Sequence, residues 1–112
     1  MIPDYPNNAD GDALRRIATD GSDMSKPMVI DFSVAVPDEI SGNHVASAAR
    51  SAGYDSHVLQ DKDSGEWTCY CTKSMIATYE SVVSIQEELN EISRPFAGYT
   101  DGWGTFGNVD TD

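Results

Sequence analysis

Two cysteines, two histidines and an acidic run around Asp61 are the side chains whose types could do chemistry in this chain. Cys69 and Cys71 lie two apart in a stretch that alternates as a strand does. Their side chains then share one face with parallel vectors, a poor geometry for bridging each other, and they read as small core hydrophobes of a reduced compartment. His44 falls in a helical stretch and His57 in a polar one, and neither has Cys or acidic neighbours at the spacing of a zinc site. Asp61-Lys62-Asp63-Ser64-Gly65 looks like the start of a calcium loop. Such a loop needs Gly sixth and Glu twelfth, where this chain has Glu66 and Thr72, so the run reads as a hairpin turn. No nucleophile motif, Walker loop or dinucleotide fingerprint is present. The sequence therefore supplies no catalytic residue, no metal ligand and no cofactor site, and the chain reads as a non-enzyme.

What remains is charge. Nineteen acids against seven bases leave the 112 residues at −12. Residues 1–56 carry nine acids and four bases, a balance of −5, and residues 57–112 carry ten and three, a balance of −7. The acidity thus belongs to the whole chain rather than to a tail. Such a surface repels phosphate backbones and anionic lipid, which leaves a Lys/Arg-rich protein segment as the expected partner. No apolar run approaches the roughly 20 residues of a membrane span, and Met1-Ile2-Pro3-Asp4-Tyr5-Pro6 lacks the basic start and apolar stretch of a signal peptide. With the reduced cysteines, these features point to a cytoplasmic protein.

The length suits one domain, divided as a flexible lead-in (1–9), a domain (10–107) and a polar tail (108–112). Asp10 or Asp12 can cap a short helix whose apolar positions are Leu14, Ile17 and Ala18, with Gly21 placed to end it. Residues 28–36 alternate with a period of two, Met28, Ile30, Phe32, Val34 and Val36 on one side. A helix over 38–52 begins at Asp38 or Ser41, nearer Ser41 because Gly42 costs about 1 kcal/mol inside a helix. Its inner side holds Ile40, Val45, Ala48, Ala49 and Ala52. A polar edge strand over 54–60 and a second apolar strand over 66–73 follow, the latter with Trp67, Cys69 and Cys71 inward. The last helix spans 77–94, with Thr78 as cap, the stripe Val82, Ile85, Leu89, Ile92 and Phe96, and Pro95 as stop. A short strand over 97–101 leads into a turn at Trp103. The order after the first helix, βαββαβ, predicts an α+β domain of ferredoxin-like type, with strands 28–36 and 66–73 at the centre of the sheet. The open face would show Val29, Asp31, Ser33 and Ala35 beside Thr68, Tyr70 and Thr72, which is no base-stacking platform for RNA.

Asp101-Gly102-Trp103-Gly104-Thr105-Phe106 resembles the closing signature of the RraB family, regulators of ribonuclease E activity. Leu14-Arg15-Arg16, the run from Asp20 to Pro27, Ile30-Asp31-Phe32-Ser33-Val34 and Lys73-Ser74-Met75 resemble its compact members, and the order of elements agrees over about 10–107. The resemblance implies a small acidic protein, and the domain is expected to be monomeric or weakly self-associating. It would bind the non-catalytic scaffold region of ribonuclease E and inhibit or modulate RNA cleavage. The alternatives are an acidic adaptor with another basic client and, remotely, an RNA-binding module. Gly102, Trp103, Gly104 and Phe106 are the structural signature. Trp103 is expected to be mostly buried, a lid over the end of the last helix that fixes the C-terminal turn. Around it, Asp101, Glu87, Glu88 and Glu91 are expected to form the protein-binding surface.

Overall fold

In a computed structural model that describes residues 5–108, the elements are α1 (Ala9–Thr19), β1 (Met28–Val36), α2 (Glu39–Ser51), β2 (Asp55–Gln60), β3 (Trp67–Met75), α3 (Tyr79–Ser93) and β4 (Tyr99–Thr105). A 3-10 turn at Arg94–Phe96 joins the last two. Residues 1–4 of the expected lead-in and 109–112 of the expected tail lie outside the described residues. The fold is mixed α+β, with three helices and one antiparallel sheet in the order β2-β3-β1-β4. β1 pairs with β3 over its whole length, from Met28 opposite Met75 to Val36 opposite Trp67. Every even residue of β1 is buried, as its alternation predicts. Of the expected core, Phe32, Val34, Cys69, Val82 and Leu89 are fully enclosed, while Trp67 and Ile85 pack partly buried at its margin.

α1 is capped by Asn8, not by Asp10 or Asp12. The extended Asn8 backbone turns its side chain onto the Gly11 N–H at 2.9 Å, which frees Asp10 for another partner. Gly21 ends α1 as expected, the Gly21 and Ser22 N–H groups closing back on Ala18 and Ile17. Tyr5 is buried, and Arg15 donates to its carbonyl at 2.7 Å, so the described segment just before α1 is held against the domain. At the other end, the Asn108 amide exchanges hydrogen bonds with Asp23, both at 2.8 Å.

α2 starts after Asp38, whose carboxylate accepts from the Ser41 N–H at 2.8 Å, rather than near Ser41. Gly42 lies within the first turns for a packing reason. A Cβ there would meet Val58 Cγ1 at 2.9 Å and Val36 Cγ2 at 3.2 Å, so glycine is what lets the helix press onto the sheet. That contact sets the buried stripe as Gly42, Val45, Ala46 and Ala49. Ile40 and Ala52, assigned inward from spacing, are exposed instead. Thr78 caps α3 in a reciprocal pair with Ser81.

The last strand departs most from expectation. A left-handed Ala97 (φ 60°), which closes the 3-10 turn, occupies the residue where it was expected to start, and the strand begins at Tyr99. β4 then runs on to Thr105, carrying Trp103 inside a strand rather than a turn.

Phe32→Ala or Leu89→Ala is expected to cost roughly 2–5 kcal/mol in chemical denaturation, since each leaves a cavity in a fully enclosed site. Gly42→Ala would stabilise an open helix by about 1 kcal/mol. Here it is expected to destabilise by about 1–3 kcal/mol, because the stiff Val58 and Val36 side chains cannot give way.

Candidate protein-binding face

The residues with chemical potential serve the architecture. Cys69 and Cys71 are free and buried, their sulfurs 4.0 Å apart. That contact, with burial, pushes the Cys69 thiol above its ordinary range, which keeps it protonated and unreactive. His44 stacks on Phe96 with ring centres 5.1 Å apart, and His57 on Tyr70 at 5.4 Å. The Asp61 carboxylate accepts from the N–H groups of Ser64 at 3.0 Å and Asp63 at 2.8 Å, bonds that hold its carboxyl below the usual range. It closes the β2–β3 turn.

Trp103 sits opposite Phe32 in β4, with ring centres 6.5 Å apart. The strand reaches it through Gly102, whose φ of 94° takes up a bulge where the pairing shifts between Phe32 and Val34. The indole N–H donates to Asp10 Oδ1 at 2.9 Å, and Asp10 Oδ2 accepts from Gln86 at 3.2 Å. One carboxylate from α1 therefore holds both β4, 93 residues further on, and α3, 76 residues further on. Trp103 packs on Phe32 and is tied to α1, with most but not all of its surface covered, as expected. Gly104 has open space where a Cβ would be, and Phe106 is fully exposed, so neither serves close packing.

The four acids singled out from the sequence belong to two elements, three to α3 and Asp101 to β4. Glu87 and Glu91 are exposed on α3, and Glu91 pairs with Arg94 at 2.7 Å. Glu88 accepts the Tyr54 hydroxyl at 2.8 Å; burial first, then this bond, holds that phenol above its ordinary value. Asp101 belongs to the sheet. It borders a cleft of about 420 Å³ shared with Ala35, Glu66, Trp67, Thr68 and Tyr99.

That cleft is one end of a larger surface. With the even side of β1 facing the core, the pairing register assigns the opposite face row by row. Leu59, Thr68, Ala35 and Tyr99 form one row across four strands; His57, Tyr70 and Ser33 form the next; Asp55, Thr72, Asp31 and Gly104 form the third. Val29 and Ser74 follow, and Phe106, one residue past β4, continues the alternation. Within the strands the charged residues of this face are Asp31, Asp55 and Asp101. The one strand cation, Lys73, pairs with Ile30 on the other side and holds its ammonium over the Tyr54 ring at 4.9 Å.

Sequence reasoning placed Val29, Asp31 and Tyr70 on the open face but missed Leu59, Tyr99 and Phe106 there, as well as the Asp10 anchor. A signal for two of the three lay in the continued alternation past Asp101, with Thr100, Trp103 and Thr105 inward, interrupted by the bulge glycine. Asp10 had no comparable signal, because its partners are distant in sequence.

Compared with known families, residues 7–105 match the profile of the family described as RraB, regulator of ribonuclease activity B. No individually curated protein matches the chain.

Trp103→Phe keeps the ring but strips Asp10 of its indole partner, and is expected to lose about 1.5–3 kcal/mol, as hydrogen bonds to charged groups do. In a double-mutant cycle with Asp10→Asn, chemical denaturation should return a coupling of at least about 0.5 kcal/mol. Strict additivity would mean that the two side chains do not support each other.

Proposed function

The chain belongs to the RraB family of regulators of ribonuclease activity, and on that premise we propose that it binds the non-catalytic scaffold region of ribonuclease E. It does no chemistry of its own. By occupying the scaffold in the cytoplasm as a monomer or weak oligomer, it lowers RNA cleavage or changes which proteins assemble there. The observation that carries this reading is the family match, which extends from before α1 to the end of β4. A net charge of −12 supports a basic protein partner independently. The strand order and the two crossover helices also support describing the domain as ferredoxin-like.

Charge acts here at two ranges. Glu87, Glu88, Glu91 and Asp101 are spread over the helix layer and the sheet, so they contribute to a field that draws a basic segment in rather than to a single pocket. Such charges alter association rates and salt dependence more than they alter the lifetime of the complex.

Tagged protein purified from its source cell is expected to bring down ribonuclease E. Recovery of another basic protein in its place would favour the adaptor alternative, and recovery of RNA alone at moderate ionic strength would sink both. Neutralising Glu87, Glu88, Glu91 and Asp101 to their amides is expected to slow association about tenfold at low salt, with the difference fading above roughly 0.5 M. Stopped-flow binding at two ionic strengths checks this. Unchanged rates at low salt would remove these four acids from the interaction.

A further inference from the structure

We propose that the open face of the sheet is the docking surface, and that its occupant is an extended, Lys/Arg-rich protein segment interspersed with apolar side chains. This deepens the proposed function and rests on a basic protein segment being the partner.

Apolar exposure is concentrated on this face. Among the described residues six large apolar side chains are exposed, and four of them, Val29 (54%), Leu59 (53%), Tyr99 (59%) and Phe106 (102%), belong to the open face or continue its alternation. All three helices occur elsewhere: α2 and α3 cover the even side of β1, and α1 packs on α3. Apolar side chains gathered on one uncovered face mark an interaction site more often than scattered ones do.

The charge on the face selects the occupant. Asp31, Asp55 and Asp101 lie on it, and Glu66 borders the cleft. Of the seven Lys and Arg residues, six lie outside the strands and Lys73 projects to the other side. A second copy of the same face would bring like charges together, and a nucleic acid would meet repulsion from every carboxylate. A cationic protein segment meets neither obstacle.

The spacing suits an extended chain. From the row of Leu59, Ala35 and Tyr99 to the row of Asp55 and Asp31 is four residues along β1, or about 13 Å at the ordinary strand rise. An extended ligand covers that distance with an apolar residue over Tyr99 and a guanidinium four residues away at Asp31. Asp31 Oδ1 already accepts from Thr72 at 2.6 Å, which steadies the carboxylate, and Gly104 opposite leaves an opening beside it that any side chain would narrow. Gly104 thereby has a role that core packing did not give it.

The test uses the full chain, ¹⁵N-labelled, titrated with a synthetic decapeptide of alternating Arg and Ala with one central Leu. A counterpart with Gln for every Arg is the control. The Arg peptide is expected to shift the amide signals of the open-face residues of β1, β3 and β4 and of Phe106, and the Gln peptide to bind at least about tenfold more weakly. Tyr99→Ala combined with Phe106→Ala is expected to weaken binding about tenfold or more with an unchanged melting curve, both side chains being exposed. Glu87→Gln with Glu91→Gln is expected to change the affinity less than threefold. The proposal is overturned by shifts confined to α3, by no preference for Arg, by no binding, or by a dimer that the Tyr99/Phe106 variant disperses. The same variant is then assayed against the ribonuclease E scaffold region. Scaffold binding that ignores the double substitution leaves the proposed function standing and removes this face. Peptide docking on the face without scaffold binding does the reverse.

Discussion

Alternation along β1 is the constraint from which the rest of the structure follows. A strand at the centre of a sheet sends successive side chains to opposite faces, and here the even set is uniformly apolar while the odd set is short and mixed. Only one side can then be worth covering. α2 and α3 pack on that side, and Gly42 lets α2 come close enough to seal it against Val36 and Val58. The other side is left to solvent or to a partner. A one-sided sheet therefore divides the strand: the even residues of β1 hold the domain together, and the odd residues are not committed to the core.

The Trp103 node shows how the two sides are kept in register at the free edge. β4 pairs with the rest of the sheet through β1 alone, so its position depends on more than its ladder. The bulge at Gly102 turns Trp103 inward onto Phe32, and Asp10 holds the indole from α1 while also taking a hydrogen bond from Gln86 of α3. Asn90 adds a second tie, its carbonyl oxygen accepting from the Thr100 N–H at 2.8 Å. These contacts fix the strand that carries Tyr99 and Asp101 on its outer side. The tryptophan-glycine motif thus anchors β4 on the core side while the outer side of the same strand carries Tyr99 and Asp101.

Acidity has a division of labour of its own. Glu88 is committed to Tyr54, Asp61 and Asp38 to the N–H groups of turns and caps, and Asp10 to the indole. Those carboxylates are structural, and their hydrogen bonds account for them. Glu87 and the open-face aspartates have no such complete explanation within the fold. That excess over structural need agrees with the cationic partner proposed above.

Periodicity sufficed to determine the element order, the central pair of strands, the inward sides of β1, β3 and α3 and the cap at Thr78, because each depends on neighbours a few residues away. The charge and the family signature were equally legible, since neither depends on folding. Tertiary structure alone decided the rest. Whether Asp10 caps α1 or holds Trp103 is settled by Asn8 lying two residues earlier and by an indole 93 residues later. Whether Gly42 weakens a helix or seats it depends on Val58 across the core. The length of β4 turned on a bulge that breaks its alternation, and with it went the knowledge that Tyr99 and Phe106 flank Asp101 and Gly104 on an uncovered face. Local spacing specifies which way a side chain points from its own backbone; only the packed molecule specifies what, if anything, stands opposite.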